Sequence, residues 1–260
     1  MNTNAIHSSY QRIYSQPAYI LHTMAYQNTS LLVDAFTADF GRIRFVAKGA
    51  KRLKSAFAGK LEVFVPLLLS WSGRGDLYTL TEVDFAQKQK STSLNCELRG
   101  TALLSAYYVN ELVLRFLTLE DPHTELFSYY MQTIEKLQSK KNIESVLRNY
   151  EKCLLDEIGY SLSLTHDVDT GEATNIEQQY YYVISEGPKR MNSHSKLSDQ
   201  NNIVEEGVVI SGKALMELET GIFTNTESLK QAKHLMRAII SKHLGDVPLK
   251  TRTLSQSTIL

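Results

Sequence analysis

The chain has 260 residues, of which 43% are hydrophobic and 22% charged, and its 28 acidic and 28 basic residues give a formal net charge of zero. This length and composition are typical of a globular protein with a substantial core, and they exclude a protein that is basic on every face but not one with a single basic face. No apolar run approaches the roughly 18 residues of a membrane helix, and the N-terminus lacks the layout of a secretion signal, so we expect a cytoplasmic protein.

Residues 18 to 87 contain segments rich in β-formers, separated by turn signals. In chain order they are AYILHTM, TSLLVDAFT, RIRFVAK, LEVFVPLLLSW and LYTLTEVDF. Strands so closely spaced favour a small barrel or sandwich over a βαβ unit. We therefore predict a five-stranded OB-type barrel as the N-terminal domain, over residues 1–90.

The apolar residues change to a helical period after residue 100. Segment 100–117 is apolar nearly all round, which is typical of a helix buried on most sides. Segments 125–138, 143–158 and 229–240 each place apolar residues at helical spacing. The region between the last two is polar and less regular, and KRMNSHSKLSDQNN (189–202) predicts a polar loop. The prediction is an α+β protein with a mainly helical second domain, residues 91–260.

The third predicted strand and the loop after it concentrate positive charge. Residues 41–60 contain no Asp or Glu and hold these cations: Arg42, Arg44, Lys48, Lys51, Arg52, Lys54 and Lys60. On an extended strand, Arg42, Arg44 and Lys48 point to one face, with successive positions on that face about 7 Å apart. Phosphates on one nucleic-acid strand repeat every ~3.4 Å, so a row of cations at this spacing can meet a polyanion.

We interpret this basic stretch as a nucleic-acid interface that contacts the backbone rather than the bases. Arg74, in the turn SGRGD, is a further candidate contact. The alternatives are an acidic protein partner, a membrane surface, or a solvated strand and loop that serve only solubility. Tyr26, Trp71 and Tyr78 are candidate base-stacking platforms, although aromatic residues in strands more often pack in a barrel.

Other patterns give no support to a catalytic or metal site. GVVISGKA (207–214) has phosphate-loop spacing, but Ala214 replaces the hydroxyl that holds magnesium and VVIS is typical of a strand. HDVDTGE (166–172) starts like a calcium loop without the later spacing, and a turn explains it. The two cysteines, Cys96 and Cys153, predict reduced core thiols. We expect no enzyme, no cofactor and no metal.

Several stretches of the chain resemble the bacterial RecO family of DNA repair and recombination proteins. The first is AYILHTMAYQNTSLLVDAFTADFGRIRFVAKGAKR (18–52), and the second is PLLLSWSGRGDLYTLTEVD (66–84). In the helical part, YYVNELVLRFL, RNYEKCLLDEIGYSLSLTH and AKHLMRAIISKHLGDVPLKTR are also similar. Some relatives have a four-cysteine zinc site, but residues 161–187 of this chain contain no Cys.

The resemblance implies a non-catalytic recombination mediator in the cytoplasm, associated with the nucleoid. Such a protein would bind single- and double-stranded DNA, anneal complementary strands, pair with RecR and help load RecA onto DNA coated by single-stranded-DNA-binding protein. It also implies that the acidic tail of the coating protein docks on the helical domain, where Arg148 beside Leu147 and Leu154 offers a cation and an apolar stripe. The alternative is a protein–protein adaptor whose basic face meets an acidic partner. Whether the basic C-terminal helix contacts DNA is left open by the sequence.

Overall fold

The computed structural model describes residues 10–74, 77–86, 98–191, 206–245 and 247–257. Its first sheet is a closed barrel whose strand order is β1-β2-β3-β5-β4. The five strands are β1 (Gln11–Tyr26), β2 (Ser30–Thr37), β3 (Gly41–Ala47), β4 (Leu67–Gly73) and β5 (Tyr78–Phe85). β3 and β5 are parallel, and the other pairs are antiparallel. The predicted five-stranded barrel and helical region are confirmed.

The barrel core is formed by the inward-facing side chains, which alternate with outward-facing ones along each strand. Phe45 and Trp71 are almost wholly buried and their ring centroids lie 5.1 Å apart, and Phe40 packs edge-on with Trp71 at 5.3 Å. On β3 the inward positions Ile43 and Phe45 are buried, as period-2 patterning requires. β1 is longer than the predicted segment because its first half, which is mixed in polarity, pairs with β4.

Three helices belong to the same compact unit as the barrel: α1 (Thr101–Phe116), α2 (Thr124–Gln138) and α6 (Lys250–Ser257). Tyr19 on β1 packs edge-on against Tyr130 of α2, and the Tyr130 hydroxyl donates to Asn110 of α1, which itself donates to the Leu21 carbonyl. This unit extends to Ser139 and resumes at Leu249. The boundary between the two compact units lies near residue 139, and the division of the chain into domains at residue 90 stays a prediction.

The other compact unit covers residues 140–248. Its helices are α3 (Ile143–Glu157), α4 (Gly212–Thr220) and α5 (Thr226–Leu244), and its three-stranded sheet has the order β7-β6-β8, with β6 (Gln179–Val183), β7 (Gly187–Arg190) and β8 (Gly207–Ser211). Strand β8 confirms the strand predicted at VVIS. The sequence did not predict β6, β7, α4 or α6. Most of the predicted loop 189–202 lies outside the described residues, as does Cys96, and Cys153 is only half-buried.

At two positions another part of the backbone lies so close that only glycine fits. Gly41 begins β3 with a φ of +66°, and a Cβ there would lie 1.8 Å from the Asp121 carbonyl oxygen. Gly212, the second glycine of the phosphate-loop-like pattern, would place a Cβ 1.9 Å from the Asn175 carbonyl oxygen. That pattern therefore reflects tight packing at the start of α4, where Ser211 caps the helix through the Ala214 amide.

Candidate nucleic-acid interface

An open groove of about 450 Å³ lies on the barrel at the end of β3. Its walls come from the β1–β2 turn, the residues that follow β3 and the start of β5, and they include Tyr26, Lys48 and Arg52. OB barrels bind oligonucleotides on this face, between the turn that joins the first two strands and the turn that joins the last two. The groove thus combines two cations, Lys48 and Arg52, with two aromatic residues, Tyr26 and Tyr78, at the position where OB folds receive nucleic acid.

The loop after β3 holds its cations in a defined, exposed conformation. Lys48, Lys51, Arg52 and Lys54 are all exposed. Successive turn hydrogen bonds run through the loop, and the Lys51 amide donates to the Thr29 carbonyl at 2.9 Å, which ties the loop to the β1–β2 turn. Phe57 anchors the far end of the loop in the barrel core. The loop therefore presents positive charge without a large ordering cost on binding.

Arg42 does not join that surface, so the prediction that it projects into solvent is wrong. Its Nη1 atom donates to the carbonyl oxygens of Leu114, at 2.5 Å, and Leu117, at 2.9 Å, which lie at the C-terminal end of α1. A cation at this end of a helix meets carbonyls without helical partners and the negative end of the helix dipole. Burial lowers the pKa of Arg42, and Asp34 opposes that shift, but an arginine stays charged at neutral pH.

Arg44 is also engaged within the barrel. It lies directly opposite Asp34 in the β2–β3 ladder, and the two side chains form a bidentate pair, with distances of 3.0 Å for Nε–Oδ1 and 3.2 Å for Nη2–Oδ2. Asp34 is buried, so its carboxylate requires such a partner. Residues 41–60 contain no Asp or Glu, but the pairing of β2 with β3 places Asp34 beside Arg44. Arg44 remains about one third exposed.

The two remaining candidate cations, Lys60 and Arg74, differ in their surroundings. Lys60 donates to the Val83 carbonyl at 2.8 Å and lies 3.7 Å from Asp84, so its charge is partly satisfied by β5. Arg74 is exposed at the end of β4. Among the candidate aromatics, Trp71 is buried in the barrel core and has no face open to a base, whereas Tyr26 and the largely buried Tyr78 line the groove. The exposed set is therefore Lys48, Lys51, Arg52, Lys54 and Arg74.

The predicted peptide site on α3 is mostly buried. Arg148 is only 4% exposed and its Nη2 atom donates to Glu151, which is fully buried. Leu154 is also fully buried, so the prediction that it contacts a peptide does not fit this conformation, whereas Leu147 is half-buried. Within the described part of the chain, neither Nε nor Nη1 of Arg148 has a hydrogen-bond acceptor. Amphipathic spacing could not separate a docking stripe from a core stripe, because both have the same period.

Two of the other sequence patterns have structural roles. The Asp167 carboxylate accepts the amides of Asp169 at 2.9 Å, Thr170 at 3.0 Å and Arg190 at 2.7 Å, which closes the predicted turn and holds it against β7. Burial raises the pKa of Asp167, but the N–H donors of Thr170, Arg190 and Asp169 outweigh that effect and the pKa is lowered. On the basic helix α5, Lys233 pairs with Glu144 and Lys242 pairs with Glu206.

No group of three or more His, Cys, Asp or Glu side chains in the described ranges could hold a metal ion. None of the helices in those ranges is long and apolar enough to cross a bilayer.

Comparison with known proteins gives matches over nearly the whole chain. A family model described as Recombination protein O N terminal matches residues 12–88, and one described as Recombination protein O C terminal matches residues 98–253. A protein named DNA repair protein RecO from Azoarcus sp. (strain BH72) is 39% identical over 249 residues, covering 96% of this chain and 98% of that protein. Its namesake from Coxiella burnetii (strain RSA 331 / Henzerling II) is 41% identical over 244 residues, covering 94% and 98%. The namesake from Nitrosospira multiformis is 39% identical over 244 residues, covering 94% and 95%.

Proposed function

Since the chain belongs to the RecO family and so has a role in DNA repair and recombination, we propose that it acts as a recombination mediator. In this role it binds single- and double-stranded DNA and anneals complementary strands. With RecR it helps load RecA onto DNA coated by single-stranded-DNA-binding protein. The protein makes and breaks no bond in this process, and it works in the cytoplasm at the nucleoid.

The exposed loop cations beside the OB groove carry this proposal. Lys48 and Arg52 line the groove, and Lys51 and Lys54 continue the positive charge outside it. These side chains neutralise phosphates on two strands, which lowers the repulsion that keeps complementary strands apart. Arg42 and Arg44 support this surface from within the barrel by holding β2, β3 and the end of α1 together. They therefore contribute to DNA binding chiefly by maintaining the fold.

Docking of the coating protein's acidic tail at Arg148 is the second part of the proposal. Two nitrogens of this buried guanidinium have no acceptor within the described residues, and a peptide carboxylate would supply one. Because Leu154 is fully buried, only Leu147 and Arg148 remain as contacts without rearrangement of α3. The tail therefore binds by displacing or sharing the Arg148–Glu151 interaction.

Annealing of two complementary oligonucleotides, with and without the coating protein, tests the proposal. We expect the protein to accelerate duplex formation in both conditions and the acceleration to disappear at high salt, because phosphate contacts release counterions. The rival function is an adaptor whose basic face binds an acidic protein. An absence of any salt-dependent shift of a labelled oligonucleotide would favour that adaptor and contradict the mediator.

A further inference from the structure

The first half of β1 carries an exposed Tyr–Arg–Tyr series that lies outside the basic stretch. Tyr10 is 60% exposed and Tyr14 is 68% exposed, with Arg12 exposed between them. The Arg12 guanidinium carbon lies 5.8 Å from the centre of the Tyr10 ring, at cation–π distance. Hydrogen bonding to Tyr10 and then to Tyr14 raises the pKa of Arg12. The three side chains therefore form one polar and aromatic cluster, called here the β1 ladder.

Strand register places the β1 ladder on the same outer wall as the groove. Val46 of β3 pairs with Thr79 of β5, Thr79 pairs with Ser72 of β4, and Ser72 pairs with Arg12 of β1. Paired residues point to the same face of a sheet. Their inward-pointing neighbours belong to the barrel core or pack against it, namely Phe45, Tyr78, Trp71 and Ile13. A continuous outer face thus runs from β3 across β5 and β4 to Arg12.

The positive charge at the end of the groove acts on the ladder. The pKa of Tyr10 is lowered by hydrogen bonding to Ser72 and then to Arg12, with a smaller contribution from the charge of Lys48. Lys48 lines the groove, and the register from Val46 through Thr79 and Ser72 to Arg12 places the cationic end of β3 and the ladder on one outer face. Exposed Glu82 lies opposite Ser70 further along β4, so the positive part of this wall is the end that holds Lys48.

We propose that the β1 ladder is a stacking surface for unpaired bases, which extends the groove into a path for single-stranded DNA across β3, β5, β4 and β1. This inference rests on the proposed DNA-binding function and adds to it a preference between strand states. An exposed tyrosine ring can stack only on a base whose face is free, and the bases of a duplex are stacked on each other. The cations of the wall bind the backbone of either form, whereas the tyrosines favour the single strand.

The contributions of base stacking and of charge to DNA binding can be separated with three labelled probes of equal length. They are an oligothymidylate, a fully abasic strand and a duplex. The variant Tyr10→Ala/Tyr14→Ala removes both rings. The variant Tyr10→Phe/Tyr14→Phe keeps the rings and removes only the hydroxyls. Tyr129→Ala, on α2, is the matched control because Tyr129 is exposed to a similar degree, at 46%, but lies outside the wall. Binding is measured by fluorescence anisotropy with the full-length chain.

We expect the double Ala variant to bind oligothymidylate more weakly by a factor of about ten or more, and to bind the abasic strand and the duplex like the wild type. The double Phe variant and Tyr129→Ala should match the wild type on all three probes. Equal loss on all three probes, or no loss on oligothymidylate, would overturn the stacking surface. A wild-type protein that binds none of the probes would contradict the proposed function itself, so the two failures are distinguishable.

Discussion

Arg44 and Asp34 lie opposite each other on β3 and β2, and their side chains form a bidentate ion pair in the wall of the barrel. The same carboxylate lies 3.7 Å from Nε of Arg42. One buried acid therefore neutralises part of the charge of two arginines. The basic stretch is divided as a result into a structural part on β3 and an exposed part on the loop that follows.

Arg42→Ala is expected to destabilise the protein by about 2–3 kcal/mol, because it removes charge-assisted hydrogen bonds to two part-buried carbonyls at the end of a helix. Urea unfolding should show a lower midpoint with an unchanged slope. The folded variant should bind DNA with wild-type affinity. A variant as stable as the wild type but weaker in DNA binding would show that Arg42 contacts DNA directly.

The triple variant Lys51→Ala/Arg52→Ala/Lys54→Ala should have the opposite effect. These side chains are exposed, so the free energy of unfolding should change by less than about 0.5 kcal/mol. The slope of log affinity against log salt should become shallower by roughly 0.7–0.9 for each phosphate that the variant no longer neutralises. Titrations of one oligonucleotide at several salt concentrations give this slope. Lys136→Ala, an exposed cation on α2, is the control, and an unchanged slope in the triple variant would place the DNA elsewhere.

Removal of either partner of the buried Arg148–Glu151 pair should cost about 3–5 kcal/mol of stability, because it leaves one charge buried without its counterion. The double variant Arg148→Met/Glu151→Leu should lose far less, since it removes both charges and keeps the volume. Urea unfolding of the wild type, the two single variants and the double variant completes a double-mutant cycle, which gives the interaction energy between the two side chains. Additive losses in the double variant would show that the two side chains do not act as a pair.

The same double variant isolates the proposed peptide contact. We expect it to stay folded but to lose affinity for a peptide with the acidic tail of the coating protein, because the guanidinium is absent. Its affinity for bare DNA should be that of the wild type. Peptide binding equal to the wild type would remove Arg148 from the docking site.

Asp167 predicts an acid-dependent loss of stability. The pKa of Asp167 is lowered in the folded protein. Its contribution to the free energy of unfolding is therefore fully present above the ordinary aspartate pKa of about 3.9, and it is lost as the pH falls through the pKa of the folded state. Asp167→Asn should therefore be less stable than the wild type at pH 7, and the difference should shrink in acid. Urea midpoints of both proteins across this pH range give the comparison. A constant difference would show that the carboxylate charge is not responsible.

The sequence alone predicted the barrel and the long helices because their signals are local. Alternation on β3 marks Ile43 and Phe45 as inward, and the apolar period on α3 marks one buried face. The short strands β6 and β7 escaped prediction because they are stabilised by pairing with each other and with β8 rather than by a long pattern. The sequence of β7, GPKR, carries little strand signal of its own, whereas β6, QYYYV, is rich in the β-forming residues Tyr and Val, so its signal was present but was overlooked in a region that reads as polar.

The sequence by itself determined that positive charge accumulates between residues 41 and 60, because the number of charged residues in a segment does not depend on the fold. Tertiary structure alone decided which of those charges are available. Strand pairing brought Asp34 to Arg44, packing brought the end of α1, 72 residues away, to Arg42, and barrel closure brought Arg12 into register with Ser72. Each of these encounters joins groups that are distant in the chain, so no local pattern could contain them.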